Sequence, residues 1–531
     1  MDFVEEPFTS DERERLQPHF TNLEGPVFAL VDLPEVVKGA LFARYSRSPK
    51  SLRRLFLDEF ASEGTEGSRA SVAVGTERAE QLYERVFFEY GDDSVAQLGG
   101  VHLAVEQVSQ PLAKILEWGR LGAYLEQSTR YIPYDDRPGG RWRFTVPEEV
   151  ETLPDLAVRY WATLDDAFET YARWLGPLQE HLRAQTPRDP SDSDVVYRLT
   201  IRAKACDALR GLLPAATRSN VGIFATAQSY EQLLLRMRAS GLTEVREYAD
   251  LMLVELRKVI PAFLTRVDLP DRGGAWTAYL RKTRAAVATT AEEALHAVVP
   301  EDRHEVTLTD FDPDGEVKVV AAALYAVSEL PDDQLLDIAR KMTADERARV
   351  LRAYVGERAN RRHRPGRAFE RTSYRFDVRC DYGSFRDLQR HRMLTIEWQA
   401  LSPDHGYEVP SEVEAVGAAD DWRGVMERSA NLFRAMREAG LQVAAQYGVS
   451  MAYRIRFVME MNAREAMHLI ELRTTPQGHP VYRRVAQAMH RLIERQAGHH
   501  AIAEAMSFVD HSGGEAGRLE AERRSEARRR P

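Results

Sequence analysis

Cysteine is nearly absent: Cys206 and Cys380 are the two in 531 residues, far apart and with no CxxC pair. That excludes a disulfide framework and a zinc ribbon, and it fits a reducing, cytoplasmic setting. No apolar run approaches the roughly 20 residues needed to span a bilayer, so no membrane partner is expected. The opening MDFVEEPFTSDERERL is acidic and polar, unlike a secretory signal or an Arg-rich transit peptide. GxGxxG, GxxxxGK[ST] and HExxH are all missing, which removes the Rossmann, P-loop and zinc-protease readings and leaves no expected metal site. A net charge of −10 argues against duplex nucleic acid as a partner, although a local arginine cluster can still hold a small anion.

What is present is a globular balance, 44% hydrophobic and 29% charged residues, in a chain long enough for several cores. The segment Gly513 to Pro531 is charged and poor in apolar residues, the pattern of a solvated tail. A boundary falls near Pro300 to Asp314, where a helical pattern gives way to a short alternating strand and a DPDG turn.

An internal repeat dominates the organisation. LPEVVKGALFARYSRSP (Leu33 to Pro49) resembles GEVKVVAAALYAVSELP (Gly315 to Pro331). LAKILEWGRLGAYLEQSTRYIPY (Leu112 to Tyr134) corresponds to FRDLQRHRMLTIEWQALSPDHGYEVP (Phe385 to Pro410). LRGLLPAATRSNVGIFATAQSYEQLLLRMRAS (Leu209 to Ser240) faces VSMAYRIRFVMEMNAREAMHLIELRTT (Val449 to Thr475). Three blocks in one order point to a tandem duplication: a first copy over residues 1–300, a second over 301–512 and a tail over 513–531. The pattern is mostly helical, with strand candidates at Arg141 to Pro147, His304 to Asp312 and Tyr374 to Asp381. The expected fold class is α+β: two tandem helix-rich units with small β-sheets.

Arg390-His391-Arg392 is the densest polar constellation. Three potential cations in a row are costly to bury, so they belong on a solvated face or around an anion. Apolar flanks favour the anion, since arginine forks meet phosphates bidentately. In the first copy, Glu126, Ser128 and Arg130 alternate, and an extended segment would place them on one side, a face suited to a nucleotide. RRHRPGR (Arg361 to Arg367) reads as a solvated loop able to attract polyanions.

These residues resemble the signature RHRxxSxNExSxRY of the flavin-dependent thymidylate synthases. The second copy keeps its opening in Arg390, His391 and Arg392, with Thr395 for the serine; the first copy keeps Arg120 and the closing Glu126, Ser128, Arg130 and Tyr131. A second family block, NxRxxxHxxxxR, fits Asn462, Arg464, His468 and Arg473, of which the first copy keeps Arg238 alone. Arg210 in LRGLLP matches an arginine before a Leu-Pro step, and Ala43, Arg44 and Ser46 match an opening ARxS.

The resemblance implies two copies of that family's fold and reductive methylation of dUMP to dTMP with FAD, NADPH and methylenetetrahydrofolate. It places Arg390, His391, Arg392, Asn462, Arg464, His468 and Ser46 at the flavin. It places Arg120, Glu126, Ser128, Arg130 and Arg210 at the nucleotide, with Arg473 and Arg238 against the pyrimidine as catalytic residues. Family members are homotetramers, so a homodimer of fused chains would mimic the tetramer. The alternative is a catalytically degenerate paralogue that binds flavin or nucleotide, or partners an intact synthase.

Overall fold

The computed structural model describes residues 6–45, 48–61, 97–190 and 193–512; Ser46 and the 513–531 tail lie outside them. The fold is α+β. Among the described residues, seven strands form two small sheets: β1 (Gly100–Val108), β2 (Gly122–Glu126) and β3 (Ser219–Thr226) in the order β1-β3-β2, then β4 (Val306–Phe311), β5 (Ser373–Asp381), β6 (Thr395–Trp398) and β7 (Arg454–Asn462) in the order β4-β5-β7-β6.

The two sheets repeat one plan. A strand leads to a short helix (β1 to Gln110–Leu116; β5 to Tyr382–Gln389), then comes a short strand (β2; β6). A long helix follows (Pro154–Gln185; Ala419–Glu438), then a strand running straight into a capped helix (β3 to Ala227–Arg238; β7 to Ala463–Arg473). The three blocks of internal similarity fall on matching elements. β2 pairs antiparallel with β3, and β6 pairs antiparallel with β7, so the register logic recurs as well. In β5 and β7 every second residue is buried, with Phe376, Val378, Phe457 and Met459 all at 1% exposure or less. That period-2 pattern is what fixes a strand with one face on a core.

Two of the three strand candidates form β4 and β5. The third, Arg141 to Pro147, does not: its Phe144 makes an isolated bridge to Thr217, and Pro147 caps the short Glu148–Glu151 helix. Of the strands missed, β3 and β7 lead directly into helices, so their apolar residues run on into the helical pattern that follows.

Compactness divides the chain differently from the repeat. One unit comprises residues 1–106, 115–126 and 220–298; the other comprises 107–114, 127–219 and 299–531. The second unit therefore holds a stretch of the first copy together with the whole second copy. Inside it, equivalent elements of the two copies meet. Leu213 and Ala215 exchange backbone hydrogen bonds with Met451 and Val449 at 2.9 and 2.8 Å, around an antiparallel bridge between Pro214 and Ser450. The two long helices are tied by Arg428 to Asp166 and by the Trp174 indole N–H donating to Asp421 at 2.8 Å. The same faces that match in sequence are joined about a local pseudo-twofold. Both cysteines are buried and free, and among the described residues no helix is long and apolar enough to cross a membrane.

Candidate functional site

The site lies within the second unit and begins where β2 stops. The strand ends at Glu126, so Glu126, Ser128 and Arg130 do not share one strand face as their alternation suggested. Instead the chain turns: Ser128 Oγ accepts from the Arg130 backbone N–H at 3.2 Å and the Ser128 carbonyl from Tyr131 at 3.2 Å. That local hydrogen bonding is what Ser offers in a turn. It aims Arg130 at Asp207 on the Asp194–Leu209 helix, with Nε to Oδ1 at 2.9 Å and Nη2 to Oδ2 at 2.7 Å, while Nη1 donates to the Tyr482 hydroxyl at 3.1 Å.

Arg210 follows that helix in a 3-10 turn and is 3% exposed. Its Nε is 3.6 Å from Asp207 and its Nη1 3.6 Å from Asp387, which sits on the Tyr382–Gln389 helix. Arg390 and Arg473 approach the same Asp387 at 3.6 and 4.0 Å. Burial pushes both carboxyl groups up, and the guanidiniums around them outweigh it, holding Asp207 and Asp387 well below the usual carboxylate range. Arg130, Arg210, Arg390 and Arg473 thus share two buried carboxylates.

His391 carries a second layer of order. Arg473 Nε donates to its Nε2 at 3.0 Å, and a guanidinium only donates, so the ring proton sits on Nδ1 and goes to Glu465 at 3.1 Å. Burial, with Arg473 and Arg364 close by, draws the His391 pKa well down, so the ring is neutral. Its role here is to hold the Arg473 guanidinium in place, over the Tyr482 ring at 5.5 Å. His468 stands beside it, ring centroids 5.2 Å apart, and accepts from Arg364 at 2.8 Å. Ligand atoms of His391, Glu465 and His468 lie within 4.8 Å of one another. The flanking Arg473 and Arg364, and the engagement of both His391 nitrogens, make this an arginine-anchored hydrogen-bond cluster unsuited to a divalent cation.

The Ala463–Arg473 helix presents these residues because Asn462 ends β7 and caps it, its side chain accepting from the Glu465 N–H at 2.9 Å. Arg464 turns to the Pro365 carbonyl at 2.9 Å and to Glu370 at 3.6 Å. Arg392 is exposed and forms no ion pair among the described residues. Arg120, Glu126 and Arg238 belong to the other unit. There Arg120 is exposed, Glu126 is buried at the end of β2, and Arg238 pairs with Asp250 at 2.9 Å. The structure thus gathers Arg130, Arg210, Arg390, His391, His468 and Arg473, with Asn462 capping and Arg464 lying on the helix that carries the last two of them.

The residues not foreseen are Asp207, Asp387, Tyr482, Glu465 and Arg364. Asp207 and Asp387 had a signal: each stands three residues before a key arginine, in DALR and DLQR, the spacing of neighbours on one helix face. Arg364 belongs to RRHRPGR, whose expected solvated loop is partly docked. Arg358 makes a buried bidentate pair with Glu471 at 2.6 Å that fastens this stretch to the Ala463–Arg473 helix.

The family described as thymidylate synthase complementing protein matches residues 40–262 and again 307–498. The chain belongs to that family. Its two matched segments are the two copies, so the family unit occurs twice in tandem. A "UPF0159 protein" of Chlamydia muridarum is 37% identical over 527 residues, covering 98% of this chain and 99% of the relative. A "UPF0159 protein" of Thermoplasma acidophilum is 30% identical over 510 residues, covering 91% and 97%. A "Flavin-dependent thymidylate synthase" of a Mycobacterium species is 29% identical over 190 residues, 35% of this chain and 70% of that protein. The long relatives span both copies of this thymidylate synthase complementing family chain, whereas the mycobacterial match is one copy long.

Proposed function

We propose that the chain is a flavin-dependent thymidylate synthase, converting dUMP to dTMP with FAD, NADPH and methylenetetrahydrofolate. The observation that carries this reading is the convergence of the two half-signatures. Arg130 and Arg210 from the first copy meet Arg390, His391 and Arg473 from the second around Asp207 and Asp387. The gathering of four guanidiniums in that cluster suits a phosphate monoester dianion.

Arg130 and Arg210 would orient the nucleotide phosphate, with Ser128 nearby in sequence for the sugar. Arg473, fixed through its Nε by neutral His391, would set its remaining N–H groups against a pyrimidine carbonyl and stabilise negative charge there. Tyr482, bonded to Arg130 and lying beneath Arg473, would keep both guanidiniums in register.

The residues on the flavin side fit a diphosphate-bearing cofactor. Exposed Arg392 has no carboxylate partner among the described residues, and the carboxylate contact of Arg464 is long, at 3.6 Å. Arg390, Arg392, Arg464 and His468 would hold FAD, and Asn462 retains its amide N–H groups for it. FAD, when bound, supplies the redox chemistry that carries reducing equivalents from NADPH to the transferred one-carbon unit. The fused chain would assemble as a homodimer that mimics the family tetramer.

The pairing of Arg130 with Asp207, already bidentate, favours a second reading: a degenerate paralogue that binds nucleotide or flavin without turnover. Purified protein tests both. A flavin absorbance spectrum and tritium release from ring-labelled dUMP, given folate and NADPH, support the synthase. Flavin without release supports the paralogue, and colourless protein that FAD cannot reconstitute overturns the flavin reading altogether. Arg392→Ala should lose flavin and Arg130→Ala nucleotide; identical losses would remove the division of labour.

A further inference from the structure

The Ala275–Leu295 helix lies between the two stretches that match the family, 40–262 and 307–498, and belongs to neither. None of its 21 residues is buried. Its first half is nevertheless moored. Arg281 Nη2 donates to the Arg238 carbonyl at 3.1 Å and Arg284 Nη1 to the Ala239 carbonyl at 3.4 Å, both at the C-terminal end of the Ala227–Arg238 helix. Cations suit that end, where the last carbonyls lack amide partners. From Ala285 onward, the side-chain hydrogen bonds among the described residues stay within the helix and its last turn.

That second half still carries the pattern of a packed helix. Leu280, Arg284, Val287, Ala291 and Leu295 follow at spacings of 4, 3, 4 and 4, which keeps them on one face. Leu280 is half-buried, whereas Val287 and Leu295 are 69% and 58% exposed. The apolar stripe thus runs past its support into solvent. Five of the ten residues from Ala285 to Ala294 are alanine. They favour the helix and leave little side chain to hold a neighbouring helix away.

Charge along the helix is split. Arg281, Lys282 and Arg284 come before Val287, and Glu292 and Glu293 after it; neither glutamate forms an ion pair among the described residues. A parallel partner of the same sequence would set cation on cation and glutamate on glutamate. An antiparallel partner sets each basic half against an acidic half. With a twofold axis between Val287 and Ala288, the stripe also falls on itself. Leu280 then lies opposite Leu295, Val287 opposite Ala288, and Arg284 opposite Ala291 and next to Glu292. One register matches the apolar and the charged positions together, and that names a second copy of this chain as the occupant.

We propose that the Ala275–Leu295 helix pairs with the same helix of a second copy, antiparallel about a twofold axis, as a dimerisation element that lies outside both family units. A twofold contact is closed, so assembly through it stops at two chains. The pairing rests on this helix alone and needs neither flavin nor nucleotide.

Light scattering of the full chain over a concentration series should show a dimer. Val287→Glu combined with Leu295→Glu, both at exposed sites, should raise its dissociation constant at least about tenfold and leave the far-ultraviolet helical signal unchanged. Arg284→Glu and Glu292→Arg should each weaken the dimer, and the two together should restore it. Ala288→Cys should form an interchain disulfide on mild oxidation, since the native Cys206 and Cys380 are buried. Leu295→Cys should not, because its two copies would stand about 22 Å apart along the helix axes. A monomeric parent chain overturns the proposal. So does a dimer that the double glutamate variant leaves intact, which would put the interface elsewhere, or a crosslink at Leu295→Cys in place of Ala288→Cys, which would make the pair parallel. Flavin absorbance and tritium release are read on the same samples, so failure of the synthase reading and failure of the helix pairing are told apart.

Discussion

The Ala227–Arg238 helix and the Ala463–Arg473 helix occupy the same place in their copies, each springing from the last strand of the shared plan and each capped by the residue that ends it. Thr226 caps the first, its side chain accepting from Ser229 N–H at 3.3 Å, and Asn462 caps the second. Counted from the cap, Arg473 is the eleventh residue and Arg238 the twelfth. One residue turns a side chain by about 100° around a helix. Arg473 therefore enters the buried cluster, Arg238 leaves for Asp250 on the surface, and the place of Arg473 is taken by Met237, fully buried. The sequence match that set Arg238 against Arg473 is one residue out of register. The comparison teaches that a motif's last residue carries its role only if its distance from the helix cap is kept.

The sharpest way to break this contrast is to remove charge where it is buried. Asp207→Ala leaves Arg130 and Arg210 facing each other without their shared carboxylate and should cost about 3–5 kcal/mol, read as a lower urea midpoint of the whole chain. A midpoint that hardly moves would mean the cluster is not the tight ion-pair network described.

Gly383→Ala comes next. Its methyl group would stand 2.8 Å from Arg210 Nε, and displacing so buried a guanidinium should cost about 1–3 kcal/mol, visible in the same unfolding curve. An unchanged curve would show that Arg210 has room to move.

The pH dependence follows from His468. Burial draws its pKa down from 6.5 to about 4, against Glu465 and with help from His391, Arg364 and Arg361. Between those values the unfolded chain binds more protons at this ring, so its contribution is full above pH 6.5 and is lost as the pH falls toward 4. Allowing for solvent screening, about 2 kcal/mol is at stake. Glu465, raised by burial, works in the opposite sense and trims the slope. Urea midpoints across this window should fall with acid in the parent chain and less steeply in His468→Gln; parallel slopes would remove His468 as the cause.

The caps should behave alike despite their different surroundings. Asn462→Ala and Thr226→Ala should each lower stability by about 1 kcal/mol, and a large inequality would show that one strand-to-helix junction is not a capped end. Smallest of all is Arg238→Ala. Its partner Asp250 is largely exposed, so the loss should be about 0–1 kcal/mol by thermal melting, with flavin binding untouched.

Much of this was legible in the sequence, for identifiable reasons. The duplication showed because helices and strands kept their apolar periodicity in both copies, and β4 and β5 showed because alternation and turn residues bounded them. Arg130, Arg210, His391 and Arg473 were found because their motifs are short and local. Three things were hidden. β3 and β7 merge into the helices they cap. Asp207 and Asp387 look like ordinary helix-surface acids until the fold buries them. The docking of Arg364 depends on the pair between Arg358 and Glu471, which are separated by more than a hundred residues, and no local pattern reports such a contact.

The interleaving of the two copies in one compact unit has a consequence for how the protein is made. Residues 127–219 belong to the same unit as residues 299–531, so on the ribosome they emerge long before their partners. At the usual pace of synthesis the wait is roughly 15–60 s. Through that interval the segment carrying Arg130 and Arg210 must stay unfinished, with its apolar surface open to chaperones, and cleavage between the copies before the second emerges would strand it for good.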